Sequence, residues 1–170
     1  MAAQRLLNDG TAVVLRPIEA GDKAELQAGL HRLSPETVHR RFMAPKVSFS
    51  KAELRYLTEV NGHDHAALVV ELADRPGAIV AVGRYVRLAD EPDVAEAAIV
   101  VADFLQRKGL GTIVAEALAA EAIQHDIRRF SATMQGDNRA AQRLMARLTD
   151  QLELHLDGAG AGEARTELAA

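Results

Sequence analysis

Three runs rich in β-branched and small apolar residues, Ala66 to Leu72, Ile79 to Leu88 and Val94 to Val101, stand close together in the middle of the chain. They are parted only by Asp74-Arg75-Pro76-Gly77 and Asp90-Glu91-Pro92-Asp93. Links that short can reverse a strand but cannot carry a crossover, so the centre of the fold reads as an antiparallel meander. Gly83, inside the second run, suits a bulge, a close backbone approach or a merely tolerated glycine.

The flanking segments supply helices. Thr11 to Ile18 reads as a strand that Pro17 limits. Asp22 with Glu25 is a helix-start signature ahead of Leu26, Leu30 and Leu33. Ser34-Pro35 opens a short helix through Val38 and Phe42, since proline loses nothing in a first turn. Ser50 and Glu53 form a capping box for a helix carrying Leu54, Leu57 and Val60, which Asn61-Gly62 ends. Beyond the meander, Gly109 to His125 has helical content and Arg128 to Met134 reads as a strand. Asp137 or Asn138 caps a helix with Ala141, Leu144, Met145 and Leu148 on one face. Leu152, Leu154 and Leu156 form one side of a short strand, Asp157 to Gly160 a turn, and Ala164 to Leu168 a weak closing strand. The expected order is β, α, α, α, β, β, β, α, β, α, β, β. That is an α/β (α+β) fold, a mostly antiparallel twisted sheet of about seven strands flanked by helices. With 170 residues, the chain reads as one domain, 1–170.

Several function classes drop out. Twenty Lys and Arg against 24 Asp and Glu leave a formal charge of −4, with no basic excess to neutralise a nucleic-acid backbone. The absence of cysteine removes disulfides, thiolate metal sites and a cysteine nucleophile, and fits a reducing, cytoplasmic compartment. Arg5, Asn8 and Asp9 interrupt the start, so it lacks the core of a signal peptide. Runs such as Ala97 to Ala102 are far shorter than the ~20 residues that span a bilayer. His63-Asp64-His65 is read as a solvated turn rather than a metal site, and Arg40-Arg41 and Arg128-Arg129 as solvent-facing unless a phosphate meets them.

Chemistry is concentrated in Gln106-Arg107-Lys108-Gly109-Leu110-Gly111-Thr112, between the strand ending near Val101 and the strongest helix. Glycines there let backbone approach an anion, and the first amides of a helix are unpaired and dipole-assisted. The segment is therefore either a phosphate cradle or a tight strand-to-helix turn. It lacks the Lys-Ser/Thr of a P-loop, and Val114 stands where a dinucleotide fingerprint has its third glycine.

Gln106, Gly109 and Gly111 match the pattern Q/R-x-x-G-x-G/A, and with them the chain resembles the GNAT superfamily of acyl-CoA-dependent N-acetyltransferases over essentially its whole length. The resemblance implies the GNAT fold. It implies that amides of Gln106, Arg107, Lys108, Gly109, Leu110, Gly111 and Thr112 hold the pyrophosphate of acetyl-CoA. It also implies that Val100 and Val101, on a splayed strand, meet the pantetheine arm, and that Asn138 is a further contact unless it only caps its helix. A narrower resemblance runs through Leu15-Arg16-Pro17-Ile18, Leu33 to Phe42 and Ala81 to Tyr85, which look like the GNAT domains of bacterial protein lysine acetyltransferases. Those proteins often carry a cyclic-nucleotide-binding or acyl-CoA-synthetase-like domain, for which the expected single domain leaves no room.

Acetyl transfer to a lysine of pKa ~10.4 requires a neutral amine, and deprotonation near neutral pH costs about 4 kcal/mol. The resemblance implies that Glu96, on the strand before the glycine segment, is the general base. Many GNAT enzymes carry a tyrosine acid in the helix after Asn138, but Leu144 and Met145 stand there; Tyr56 and Tyr85 are the only tyrosines. The expected activity is acetyl transfer to a primary amine by direct attack, without a metal, the acceptor being a protein lysine by the narrower resemblance. A small-molecule amine is the alternative acceptor, and a non-catalytic acyl-CoA-binding sensor the alternative class. Neither membrane nor nucleic acid is an expected partner, and the sequence leaves a homodimer open.

Overall fold

The computed structural model describes residues 2–149, 152–156 and 160–168. Its elements in chain order are β1 (Ala3–Leu6), β2 (Ala12–Pro17), α1 (Lys23–Arg32), α2 (Pro35–Phe42), α3 (Lys51–Thr58), β3 (His65–Leu72), β4 (Arg75–Arg87), β5 (Val94–Val101), α4 (Leu110–Gln124), β6 (Arg129–Gln135), α5 (Arg139–Arg147), β7 (Leu152–Leu156) and β8 (Ala161–Glu167). The strands form one eight-stranded sheet, ordered β1-β2-β3-β4-β5-β6-β8-β7. All neighbours are antiparallel except β5 and β6, whose parallel pairing requires the crossover that α4 provides. The expected meander is β3-β4-β5.

The sheet has two covered faces. Antiparallel partners point the same way, so Ala66, Leu68, Val70, Ala81, Gly83, Tyr85, Ala97 and Ile99 share one face. There they pack against Leu110, Val114, Leu118 and Ala122 of α4 in the main core. On the other face Ala67, Val69 and Ile79 join Ile18, Leu26, Leu54 and Leu57 in a smaller cluster beneath α1 and α3. His65, Arg84, Glu96, Ala98 and Val100 are on that second face by register.

The caps at Ser34 and Ser50 form as expected: Ser34 accepts from the Thr37 amide, and Ser50 and Glu53 make a reciprocal box. The Asp22–Glu25 box does not. Asp22 is taken by Arg16, at 2.8 Å to each carboxylate oxygen, and by the Glu19 amide. Glu25 instead pairs with Arg32 and accepts from the Ile79 amide, clasping α1 to β4. α3 ends at Thr58, ahead of Asn61-Gly62, and Asn61 Oδ1 accepts the amides of His63, Asp64 and His65 to shape the entry into β3.

β4 begins at Arg75, so the reversal is Ala73-Asp74, while Pro76-Gly77 sits in a bulge whose Gly77 has φ +86°. β1 was not anticipated. It is a mostly exposed edge strand with no apolar alternation, held by pairing with β2. β8 lies between β6 and β7, so the last two strands form a hairpin whose second member joins the sheet. Of the turn expected at Asp157 to Gly160, residues 157–159 lie outside the described residues.

Gly83 is a site of close approach. A Cβ there would lie well inside van der Waals contact with Leu118 Cδ1 and Val114 Cγ1, and both residues are fully buried. Gly83→Ala is expected to lower stability by roughly 1–3 kcal/mol through overpacking of the α4 interface. Urea unfolding of both proteins checks this; an unchanged midpoint would mean that α4 yields freely.

Candidate active site

β5 pairs with β4 along its whole length, from Arg87↔Ala95 to Ala81↔Val101. With β6 it pairs only at Val94↔Arg129, Ala95↔Phe130 and Glu96↔Ser131. Beyond Glu96 the two strands part, and the β6-side edge from Ala97 to Val101 lines a cleft of about 590 Å³. Small side chains, Ala97, Ala98, Ala115, Ala132 and Ala141 among them, keep that volume open. Val100 and Val101 lie on this free edge.

The cleft runs to the start of α4. Gly109 adopts φ +89° and Arg107 φ +61°, and this pair of left-handed residues turns the chain into the helix. The amides of Leu110, Gly111 and Thr112 open α4 and have no intrahelical acceptor. A Cβ on Gly111 would meet Leu144 and Val101 only at 3.8–3.9 Å, so the cleft has room above it. Gln106, Arg107, Gly109, Gly111, Thr112 and Asn138 line the cleft. The Leu110 side chain is instead buried in the core, and Lys108 pairs with Asp9 at 2.9 Å. Asn138 caps α5, its Oδ1 accepting the Ala141 amide at 3.1 Å.

Two supports of this loop left no signal in the sequence. The β1–β2 turn packs beneath it: the Asn8 amide donates to Lys108 O at 3.1 Å, and the Asn8 side chain lies beside Gly109. Asp103 ties the loop to α2, accepting from the Ser34 amide and hydroxyl and from the Thr37 hydroxyl. Burial raises the Asp103 pKa, but these hydrogen bonds outweigh it and hold the carboxyl below its ordinary value. Gln106 Nε2 completes the tie, donating to Thr37 Oγ1 and Val101 O.

The cleft is lined with guanidiniums despite the net negative chain: Arg40, Arg41, Arg107, Arg143 and Arg147. Arg143 and Arg147 are four apart on α5 and so share a face; that spacing was the available signal for them. Arg128 and Arg129 do not line it, and Arg129 pairs with Asp93 at 2.9 Å. Arg40 pairs with Glu36. Arg41 is not solvent-facing as expected. Desolvation pulls its pKa down while the charge of Glu96 pulls it up.

Glu96 is exposed at the last paired position before the strands part. Nearby on the same face, Arg84 is 7% exposed. It meets His65 Nε2 at 3.2 Å and donates to Leu57 O. Burial, reinforced by Arg84, pushes His65 down to about 4, so its ring is neutral at neutral pH. Neither tyrosine reaches the cleft. Tyr56 packs tilted against His65, ring centres 4.7 Å apart, and Tyr85 is buried on the α4 face with a hydroxyl that has no hydrogen-bond partner among the described residues and that burial pushes up to about 12. Among the described residues no cluster of three metal-ligating side chains occurs, and no helix is long and apolar enough to cross a membrane.

Known proteins share this fold. The sequence profile described as Acetyltransferase (GNAT) family matches residues 34–149, from the cap of α2 through α5. The chain is 34% identical over 134 residues to Acetyltransferase Pat of Mycolicibacterium smegmatis, 79% of this chain but 40% of that protein's length. The GNAT domain of S. lividans PAT superimposes with a TM-score of 0.87 over 98% of this chain and 97% of that one, at 26% identity. A phosphinothricin acetyltransferase of Sinorhizobium meliloti, solved in complex with AcCoA, has a TM-score of 0.73 over 92% of this chain and 89% of its own, at 17% identity, a likeness of fold.

The His65 environment has a measurable consequence. A ring that takes its proton less readily in the folded state than in the unfolded one stabilises the fold above pH ~6.5, and that contribution is lost as pH falls toward 4. Guanidinium unfolding across this interval should show stability declining, with a shallower slope in His65→Gln. Equal slopes would place the ring in water.

Proposed function

The chain belongs to the acetyltransferase (GNAT) family, and from that premise we propose that it transfers an acetyl group from acetyl-CoA to the side-chain amine of a protein lysine, with Glu96 as general base. The observation that carries this reading is the cleft itself: it opens immediately past Glu96 and runs along a strand edge to the bare amides at the start of α4.

Acetyl-CoA fits the residues present. Its pyrophosphate would lie on the amides of the Gln106 to Thr112 segment, where the glycines let backbone approach and the helix dipole favours negative charge. The cleft arginines would add charge-assisted contacts to its phosphates. The free edge at Val100 and Val101 offers backbone groups to the pantetheine amides, as an added strand would. Asn138, already capping α5, fixes the far wall. The thioester carbonyl is the electrophile, and the chain's own residues prepare the amine.

A lysine reaches the site as an ammonium. Arg41 and Arg84, on the Glu96 side of the sheet, disfavour a second cation and shift the amine toward its neutral form. The ammonium first loses one proton to solvent; as the neutral nitrogen attacks the thioester carbonyl and the C–N bond forms, Glu96 accepts the second, directly or through water, and the C–S bond breaks to release the thiolate. Neither tyrosine lines the cleft, and the thiol of CoA is acidic enough for its thiolate to depart with little help. The resemblance of Leu15-Arg16-Pro17-Ile18, Leu33 to Phe42 and Ala81 to Tyr85 to the GNAT domains of bacterial protein lysine acetyltransferases supports a protein acceptor, and the lack of cysteine supports a reducing cytoplasm. Mass spectrometry of a protein and amine panel after incubation with acetyl-CoA tests the acceptor: modified lysines are expected, and acetylation confined to small amines would overturn it.

Glu96→Gln should retain acetyl-CoA binding and lose ~10² to 10⁴ in kcat/KM for the amine. The deficit should narrow toward alkaline pH, where free amine is already abundant. Unchanged turnover at all pH values in the folded variant would place the base elsewhere.

At Gly111 a Cβ makes only ordinary contacts with Leu144 and Val101, and Gly111→Val adds branched carbons where the backbone would meet phosphate. Acetyl-CoA affinity measured by calorimetry should fall at least tenfold with little change in melting temperature. Parental affinity would remove the cradle from this loop.

A further inference from the structure

A second cavity, of about 220 Å³, lies between the first three helices and the β4–β5 face. Most of its wall is apolar, with Leu26, Leu30, Phe42, Phe49, Leu57 and Val82 prominent. Four charged side chains also line it. Two of them, Glu25 and Arg32, pair with each other and bond the Ile79 backbone. The other two, Arg41 and Arg84, have no carboxylate in hydrogen-bonding reach among the described residues.

Among the described residues Arg84 bonds neutral groups alone, His65 and the Leu57 carbonyl. The Arg41 guanidinium sits 4.9 Å from the centre of the Phe42 ring and takes no hydrogen-bond partner among the described residues. Each charge is disfavoured by desolvation, and Arg41 also depresses Arg84. A guanidinium cannot shed its proton in the neutral range; the charge of Glu96 offsets part of the cost at Arg41, but with no carboxylate hydrogen-bonded to either group the pair costs stability that a bound anion or water can return. Arg41 and Val100 line both this cavity and the cleft, so the two spaces adjoin.

We infer that this cavity is a binding site for a small carboxylate with an apolar body, its two oxygens held by the fork of Arg41 with Arg84 beside it and its hydrocarbon against Leu30, Phe49 and Leu57. Planar guanidinium matches planar carboxylate bidentately, which an ammonium or a hydroxyl group in the ligand would not. The carboxylate can come from two sources that share this chemistry: an apolar amino acid offered as acceptor, or the far end of a dicarboxylic acyl group on the donor. The site goes beyond the acetyl-transfer reading, and only the assignment of its source rests on that reading.

Calorimetric titration of the full chain with 4-methylpentanoate, without any acyl-CoA, tests the site. The carboxylate is expected to bind at least tenfold more tightly than 4-methylpentanamide, which has the same shape without the charge. Arg41→Gln should abolish that preference, and Leu57→Trp, which fills the cavity and leaves both guanidiniums in place, should abolish binding of both probes. No binding, equal binding of the two probes, or an undiminished preference in folded Arg41→Gln would overturn the site. Because no acyl-CoA is present, such a failure leaves acetyl transfer untouched. Turnover then identifies the source. Faster reaction of leucine than of isoamylamine assigns the carboxylate to the acceptor, and faster use of succinyl-CoA than of acetyl-CoA assigns it to the donor. Neither preference, together with rates indifferent to 4-methylpentanoate, would overturn the link between cavity and cleft.

Discussion

The structure turns on one interrupted strand pairing. β5 is fully laddered to β4, yet its parallel bond to β6 lasts only from Val94 to Glu96. Backbone polar groups in a sheet interior must find partners, so the edge from Ala97 to Val101 is tolerable only because it faces an open cleft. α4 governs the opening from behind. Its contact with Gly83 seats it against β4, while Leu110, Val114, Leu118 and Ala122 anchor it in the main core. The first amides of the helix then meet the end of the free edge, and one crossover produces both the groove and its anion-binding end.

The loop at that end is held from two sides. The β1–β2 turn supports it through Asn8 and Asp9, and Asp103 with Gln106 ties it to the cap of α2. The second tie gives α2 a consequence beyond packing. The helix that docks at the loop through Ser34 and Thr37 carries Arg41 toward the Glu96 face, so cleft and cavity are positioned by the same short element. Charge follows the same local logic. A net −4 chain still gathers five arginines around one cleft, because net charge describes solubility and long-range fields rather than the potential inside a groove.

Local chemistry was legible where a few neighbouring residues decide the outcome. Ser34-Pro35 and Ser50 with Glu53 form their caps because each bond spans three residues and needs no distant partner. The Asp22–Glu25 pair had the same spelling and failed, since Arg16, Arg32 and the Ile79 amide compete for those carboxylates from elsewhere in the fold. β1 was hidden because an exposed edge strand needs no apolar alternation, and its four residues are held by hydrogen bonds that carry no side-chain signature.

By itself the sequence determined the meander, the helix that follows the glycine segment and the family pattern in Gln106, Gly109 and Gly111, because periodicity, turn chemistry and motif spacing are properties of short stretches. It also placed Glu96 on the strand leading into that segment. Only the tertiary structure decided where β5 and β6 part, which arginines line the cleft, and that Arg41 and Arg84 meet over an apolar cavity. Those outcomes depend on register and on which helix covers which face, and both are set by contacts between residues tens of positions apart.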